Sequence, residues 1–286
     1  MPLLVLVSLI WALSFGLIKR WLPGVDSAFI ATARLGLALV VFLPFLRLKG
    51  VTVATAGALV AIGAVQFGLM YLAYLASFPY LSAYEVALFT ITTPIFVTLF
   101  ADALDRQLRP HALFAALLAM AGTAFVVVRL GEVKLALAGL ALVQLSNAAF
   151  AIGQVAYRRL HARQPGLNDR NVFALLYAGG FAVALAVFLS RGVDVVPHGP
   201  QVWTIAYLGV VASGLGFFLW NVGATRVEAG TLAVMNNAKI PLGITASLLV
   251  FGEQANLPRL LASLVVMSLA VWVAEKKSPG ESKVRL

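Results

Sequence analysis

Ten apolar runs, each about as long as a bilayer's hydrocarbon layer is thick, constrain this chain more than anything else in it. They lie near residues 3–22, 27–46, 52–77, 82–101, 110–129, 134–157, 171–190, 201–222, 229–250 and 257–274. Roughly 20 apolar residues carry a helix across that layer. In lipid the backbone must satisfy its own hydrogen bonds, so only helices and closed barrels span. Nothing here alternates with period two over about ten residues, as a membrane strand does. The runs therefore predict an all-α integral membrane protein with ten transmembrane helices. Composition agrees. Hydrophobic residues make up 62% of the 286 and charged residues 11%, against about 25% charged in soluble domains.

The polar connections are short: LKG, LDRQLRP, RLGEVK, RRLHARQPGLNDR, SRGVDVVPHGP, ATRVEAG and FGEQANLP. A net charge of +10 would suggest nucleic acid in a soluble protein. Here the basic residues punctuate apolar runs, as loop charges do. With the N-terminus inside, 13 Lys and Arg fall on the inner loops and tail and six on the outer loops. That bias predicts cytoplasmic termini, although Lys19 and Arg20 oppose it. The first run lacks a basic n-region and a cleavage site, so it is read as a retained span. Without cysteine there is no disulfide, thiolate metal site or thiol nucleophile.

The chain repeats itself. YLAYLASFPYLSAYEVALFTITTPIFVTLF, from Tyr71, aligns with FFLWNVGATRVEAGTLAVMNNAKIPLGITASLL, from Phe218, at an offset of 147 that puts Pro94 on Pro241. Both halves run through an aromatic span, a short turn, a polar-then-proline span, an acidic loop and a proline-started span. Five spans are an odd number, so the second half enters from the opposite side. The expected organisation is a single domain of two inverted repeats, about 1–130 and 131–275, with a cytoplasmic tail at 276–286. Inverted repeats are common in carriers that alternate access around a central site.

The opening IWALSFGLIK, Arg34 in the second span, and the repeat ends TPIFVTLFADALD and IPLGITASLLVFGE resemble the EamA-type branch of the drug/metabolite transporter superfamily. The resemblance runs over nearly the whole chain, and within the branch the sequence looks most like YddG-type exporters of aromatic and other amino acids. It implies an inner-membrane carrier. Two features depart from the branch. Leu104-Asp105 stands where the second half has Gly252-Glu253, and Lys239 precedes the second-half proline.

That lysine sits in MNNAKIP, Met235 to Pro241. A helical proline frees the carbonyl four residues back, here that of Asn237. The first half reads Thr92-Thr93-Pro94 at the matching place. These polar side chains can repair the two kinks, or line a midplane cavity that the kinks open. A lysine in mid-membrane costs about 2.5–3.5 kcal/mol on insertion scales, and every acidic residue except Glu85 lies in a loop or near a helix end. Lys239 is then neutral, or a charged pin held by carbonyls and amides, or a contact for an anionic substrate group. Arg34, two turns into its span, could snorkel or pair with an acid near a helix end.

The third span carries Gln66, Met70 and Tyr74 four residues apart, with Tyr71 beside them. The sixth carries Gln144, Asn147 and Gln154 on one face. Trp11 and Phe15 lie four apart in the first, and Trp220 and Asn221 adjoin in the eighth. Aromatic walls with convergent amides suit a flat, partly polar solute. The expected substrate-binding set is Trp11, Phe15, Gln66, Tyr71, Tyr74, Tyr84, Asn147, Trp220, Asn221, Asn236, Asn237 and Lys239, with kinks at Pro94 and Pro241. Small residues such as Gly57, Gly63 and Gly68 in the third span predict close helix approach. No catalytic constellation, nucleotide loop or metal spacing is present, so no enzyme activity, cofactor or metal is expected. The reading is a monomeric, uniporting or weakly coupled amino acid exporter in the lipid bilayer. A proton-coupled exporter of cationic drugs is the alternative.

Overall fold

A computed structural model describes residues 1–81, 86, 89–127, 137–251 and 257–275. Among them are ten helical rods: α1 Pro2–Trp21, α2 Ser27–Phe42, α3 Val53–Ala76, α4 Thr93–Asp105, α5 Pro110–Val127, α6 Leu137–Arg163, α7 Asp169–Arg191, α8 Pro200–Ala224, α9 Ala229–Phe251 and α10 Leu257–Glu275. Nine of them overlap the apolar runs along nearly their whole length, and α4 covers the second part of the fourth run, whose start lies largely outside the described residues. Proline occupies the first turn of α1, α4 and α8, where its missing N–H costs no hydrogen bond. Asp26, Thr52 and Asn168 cap α2, α3 and α7 through their side chains.

The rods bury their polar side chains and expose their apolar ones. Arg34, Gln66, Gln154, Asn221 and Asn237 are buried, whereas Val40, Leu99, Phe114, Leu189 and Leu261 point outward. This inversion of a soluble core is what lipid demands. Trp21, Trp203 and Trp272, near span ends, are exposed too, as interface anchors are.

Packing follows the two halves. Exchanging α1–α5 with α6–α10 turns the pair α1–α9 into α6–α4, and α3–α7 into α8–α2. The pairs α2–α7, α4–α9 and α5–α10 map onto themselves. Both α3 and α8 also widen into a π-helical turn, at Ala64–Leu69 and Leu208–Leu215. Such turns are rare and often sit at functional sites. Here they fall at matching places, since the offset of 147 puts Gln66 on Ser213.

On the face opposite the termini, Arg191 reaches Asp26 at 2.8 Å, joining α7 to the cap of α2. Burial pushes the Asp26 carboxyl up, but the Phe29 N–H and Arg191 more than offset this and hold it below its ordinary value. A carboxyl depressed on folding stabilises above its unfolded pKa, and that contribution is lost as pH falls through the lowered value. Asp26→Asn keeps the cap and loses only the ion pair. It is expected to cost at most about 1 kcal/mol at pH 7, and the cost should fade in melts run below pH 4.

Candidate functional site

A cavity of about 100 Å³ lies between the repeats, in the half of the bundle away from the termini. Trp11, Ser14 and Ile18 of α1 line it, with Arg34 of α2 and Met70, Tyr71 and Tyr74 of α3. Thr90 comes from the break before α4 and Thr93 from its first turn, Ser146, Asn147 and Phe150 from α6, Phe217 from α8 and Lys239 from α9. The wall is aromatic. Phe217 lies 5.4 Å from Trp11 and 5.6 Å from Tyr71 between ring centroids, and Phe150 lies 5.9 Å from Trp11.

The proline breaks are repaired locally. The Thr90 carbonyl, four residues before Pro94, takes both the backbone N–H and the hydroxyl of Thr93, the latter at 2.7 Å. The Phe89 carbonyl, one residue earlier, takes the Asn147 amide at 2.9 Å and the Gln144 amide at 3.3 Å. Asn237, one turn before Pro241 in α9, donates to the Ile91 carbonyl at 2.9 Å and so ties α9 to the break before α4.

The π-helical turn of α8 is a hub. Trp11 Nε1 donates to the Ala212 carbonyl at 2.8 Å, and Tyr177 Oη donates to the Ser213 carbonyl at 3.0 Å. The Ser213 hydroxyl accepts from Arg34 Nε at 3.0 Å and lies 2.9 Å from Tyr71 Oη. The Arg34 guanidinium carbon sits 4.3 Å from the centre of the Tyr71 ring. One widened turn thus fixes three cavity walls.

Two cations face the cavity, and among the described residues no carboxylate stands against either. Lys239 Nζ lies 5.8 Å from the centre of the Trp11 ring. Arg34 does not snorkel, and it meets no acid among the described residues; it is 3% exposed, held by a hydroxyl and a ring. Positive charge away from water is costly unless it is paired.

Beneath the cavity, toward the termini, lies a layer of mutually bonded amides. Gln66 Nε2 donates to Asn221 Oδ1 at 3.0 Å. Trp220 Nε1 donates to Gln154 Oε1 at 2.8 Å, and Gln154 Nε2 donates to Asn236 Oδ1 at 3.3 Å. At the termini face itself, Asp105 joins Arg109 and Arg159, tying α4 to the ends of α5 and α6.

The structure thus gathers Trp11, Tyr71, Tyr74, Asn147 and Lys239 at the cavity. It places Gln66, Trp220, Asn221 and Asn236 in the layer below, and Asn237 and Pro94 at the proline breaks, with Pro241 inside α9. Tyr84 lies outside the described residues, as does Glu85, and the Phe15 side chain is likewise not described. Ser14, Ser146, Phe150, Ser213 and Tyr177 belong to the site without having been expected there. A serine in a membrane helix carries little signal, because it can bond its own turn, as Ser14 does to the Ile10 carbonyl at 3.0 Å.

The EamA-like transporter family matches residues 1–128 and again 137–274. The biotin transporter of Escherichia coli is 42% identical over 281 residues, covering 96% of this chain and 93% of its own length. A probable biotin transporter of Pseudomonas aeruginosa is 42% identical over 277 residues, covering 96% of both chains. One solved structure superimposes with a TM-score of 0.76 at 20% identity, over 96% of this chain and 94% of that one, and shows the same fold. The family and these relatives are transporters, not enzymes. They are named for biotin, where the sequence resemblance pointed to YddG-type exporters of amino acids.

Proposed function

The chain belongs to the EamA-like transporter family, and we propose that within it this protein carries biotin across a bacterial inner membrane by alternating access. The observation that carries this reading is the pair of cations, Arg34 and Lys239, facing one cavity with no carboxylate against them among the described residues. Biotin is an organic monoanion with a slender carboxylate chain and a flat ureido ring. The cations suit the carboxylate, and the wall of Trp11, Phe150 and Phe217 suits the ring and chain. The names of the relatives point the same way.

The same charges weigh against export of cationic drugs, since a dication entering here meets two like charges at short range. Amino acids offer a carboxylate too, but bring an ammonium group for which the described wall has no acid. The two five-helix repeats act as the moving halves, and the amide layer of Gln66, Asn221, Gln154 and Asn236 closes the path toward the termini. Both termini lie in the cytoplasm, following the bias of basic residues.

In a bacterial strain that neither makes nor imports biotin, expression of this chain is expected to restore growth on trace biotin. Failure to grow, with the protein present in the membrane fraction, counts against the biotin reading.

A further inference from the structure

The two cations of the cavity are built differently, and the difference assigns them different work. We propose that Arg34 is the carboxylate-binding end of the site and that Ser213 is the positioning residue that aims it. This rests on the organic-anion reading above and names the atoms that read the anion.

A guanidinium has five N–H donors. The Nε–H of Arg34 is taken by Ser213 Oγ at 3.0 Å, and its guanidinium carbon lies 4.3 Å from the centre of the Tyr71 ring. Among the described residues that leaves the two terminal nitrogens as an end-on fork, the arrangement that matches the two oxygens of a carboxylate. The fork is aimed from behind. Ser213 stands on the π-helical turn of α8, whose carbonyls are held by Trp11 and Tyr177. Its hydroxyl also meets Tyr71 Oη at 2.9 Å. Arg34 from the first repeat is therefore oriented by a residue of the second, across the interface that must rearrange during transport.

Lys239 has none of this support. Among the described residues its ammonium has no carboxylate and no hydrogen-bond partner, only the face of Trp11. It supplies field without direction. Charge alone therefore suffices at Lys239, whereas at Arg34 the planar fork is needed.

The test measures competition against labelled biotin on the purified full-length carrier, with biotin and with biotinol, its uncharged alcohol. In the wild type, biotin should compete far better than biotinol. Arg34→Gln is expected to weaken biotin roughly tenfold to a hundredfold while shifting biotinol by no more than about threefold, erasing the preference. Arg34→Lys keeps the charge and should fail nearly as badly. Ser213→Ala should weaken biotin alone, by roughly threefold to tenfold, with Ser213→Thr restoring it. Lys239→Arg should keep the preference. Folding is followed by thermal melts, and Arg34→Lys carries the test if Arg34→Gln does not fold. Unchanged biotin affinity in Arg34→Lys, or equal losses of biotin and biotinol, overturns the proposal. A wild-type carrier that binds no biotin sinks the functional reading instead, so the two failures are distinct.

Discussion

Lys239→Met is expected to make the carrier more heat-stable and nearly inactive. The ammonium lies in the middle of α9, 5.8 Å from the centre of the Trp11 ring, and no carboxylate meets it among the described residues. Holding such a charge within the membrane costs about 2.5–3.5 kcal/mol on insertion scales, and methionine of similar length removes that cost and fills the same space. A melting temperature several degrees higher, reflecting about 1–3 kcal/mol, should follow. The gain is set against function. A cation acting on a bound carboxylate a few ångströms away, at an effective dielectric of about 20, contributes about 3 kcal/mol, so biotin transport should fall roughly a hundredfold. Opposite signs for stability and transport mark a residue kept for its substrate. Stability and transport falling together would mark a structural pin and would remove Lys239 from the site. Purified yield, melting temperature and initial uptake rate on the same preparation decide between them.

The second large effect is mechanical. Glycines bring α3 and α7 into backbone contact. A Cβ on Gly63 would lie 1.8 Å from the Leu176 carbonyl oxygen, and one on Gly179 would lie 1.9 Å from that of Val60. The obstacle in both cases is main chain, which cannot rotate aside. Gly63→Ala or Gly179→Ala is therefore expected to cost about 3 kcal/mol or more, at or beyond the usual upper end for overpacking. The expected readout is loss of monodisperse protein on size exclusion after solubilisation, with Gly57→Ala as control. Gly57 has open space around its Cα, and alanine there should leave yield unchanged. A well-behaved Gly63→Ala protein of normal stability would mean that α3 and α7 stand further apart than described.

Most of the fold was legible because lipid writes it in one dimension. Ten runs of the length needed to cross a bilayer leave little choice of element, and the proline and glycine punctuation fixes their ends closely. The site was legible where a residue was costly. Lys239, Asn147, Tyr71 and Tyr74 are conspicuous in an apolar run, and all four reach the cavity. Gln66, Met70 and Tyr74 recur every four residues along α3 and reach inward at different depths: Met70 and Tyr74 line the cavity, while Gln66, one turn nearer the termini, bonds Asn221 below it. Ser213 was hidden, because no residue pattern announces a π-helical turn. Its role comes from the turn it stands on, and from Arg34 arriving from the other repeat. The substrate was the least legible feature. An uncompensated pair of cations becomes visible only when α2 and α9 are brought to one cavity.

The most direct measurement is uptake of labelled biotin into proteoliposomes containing the purified chain. The account expects saturable uptake that excess unlabelled biotin abolishes, that excess phenylalanine or tryptophan leaves intact, and that speeds up when the vesicles are preloaded with biotin. Uptake of the amino acids in place of biotin, or a biotin flux that neither saturates nor responds to preloading, would contradict it.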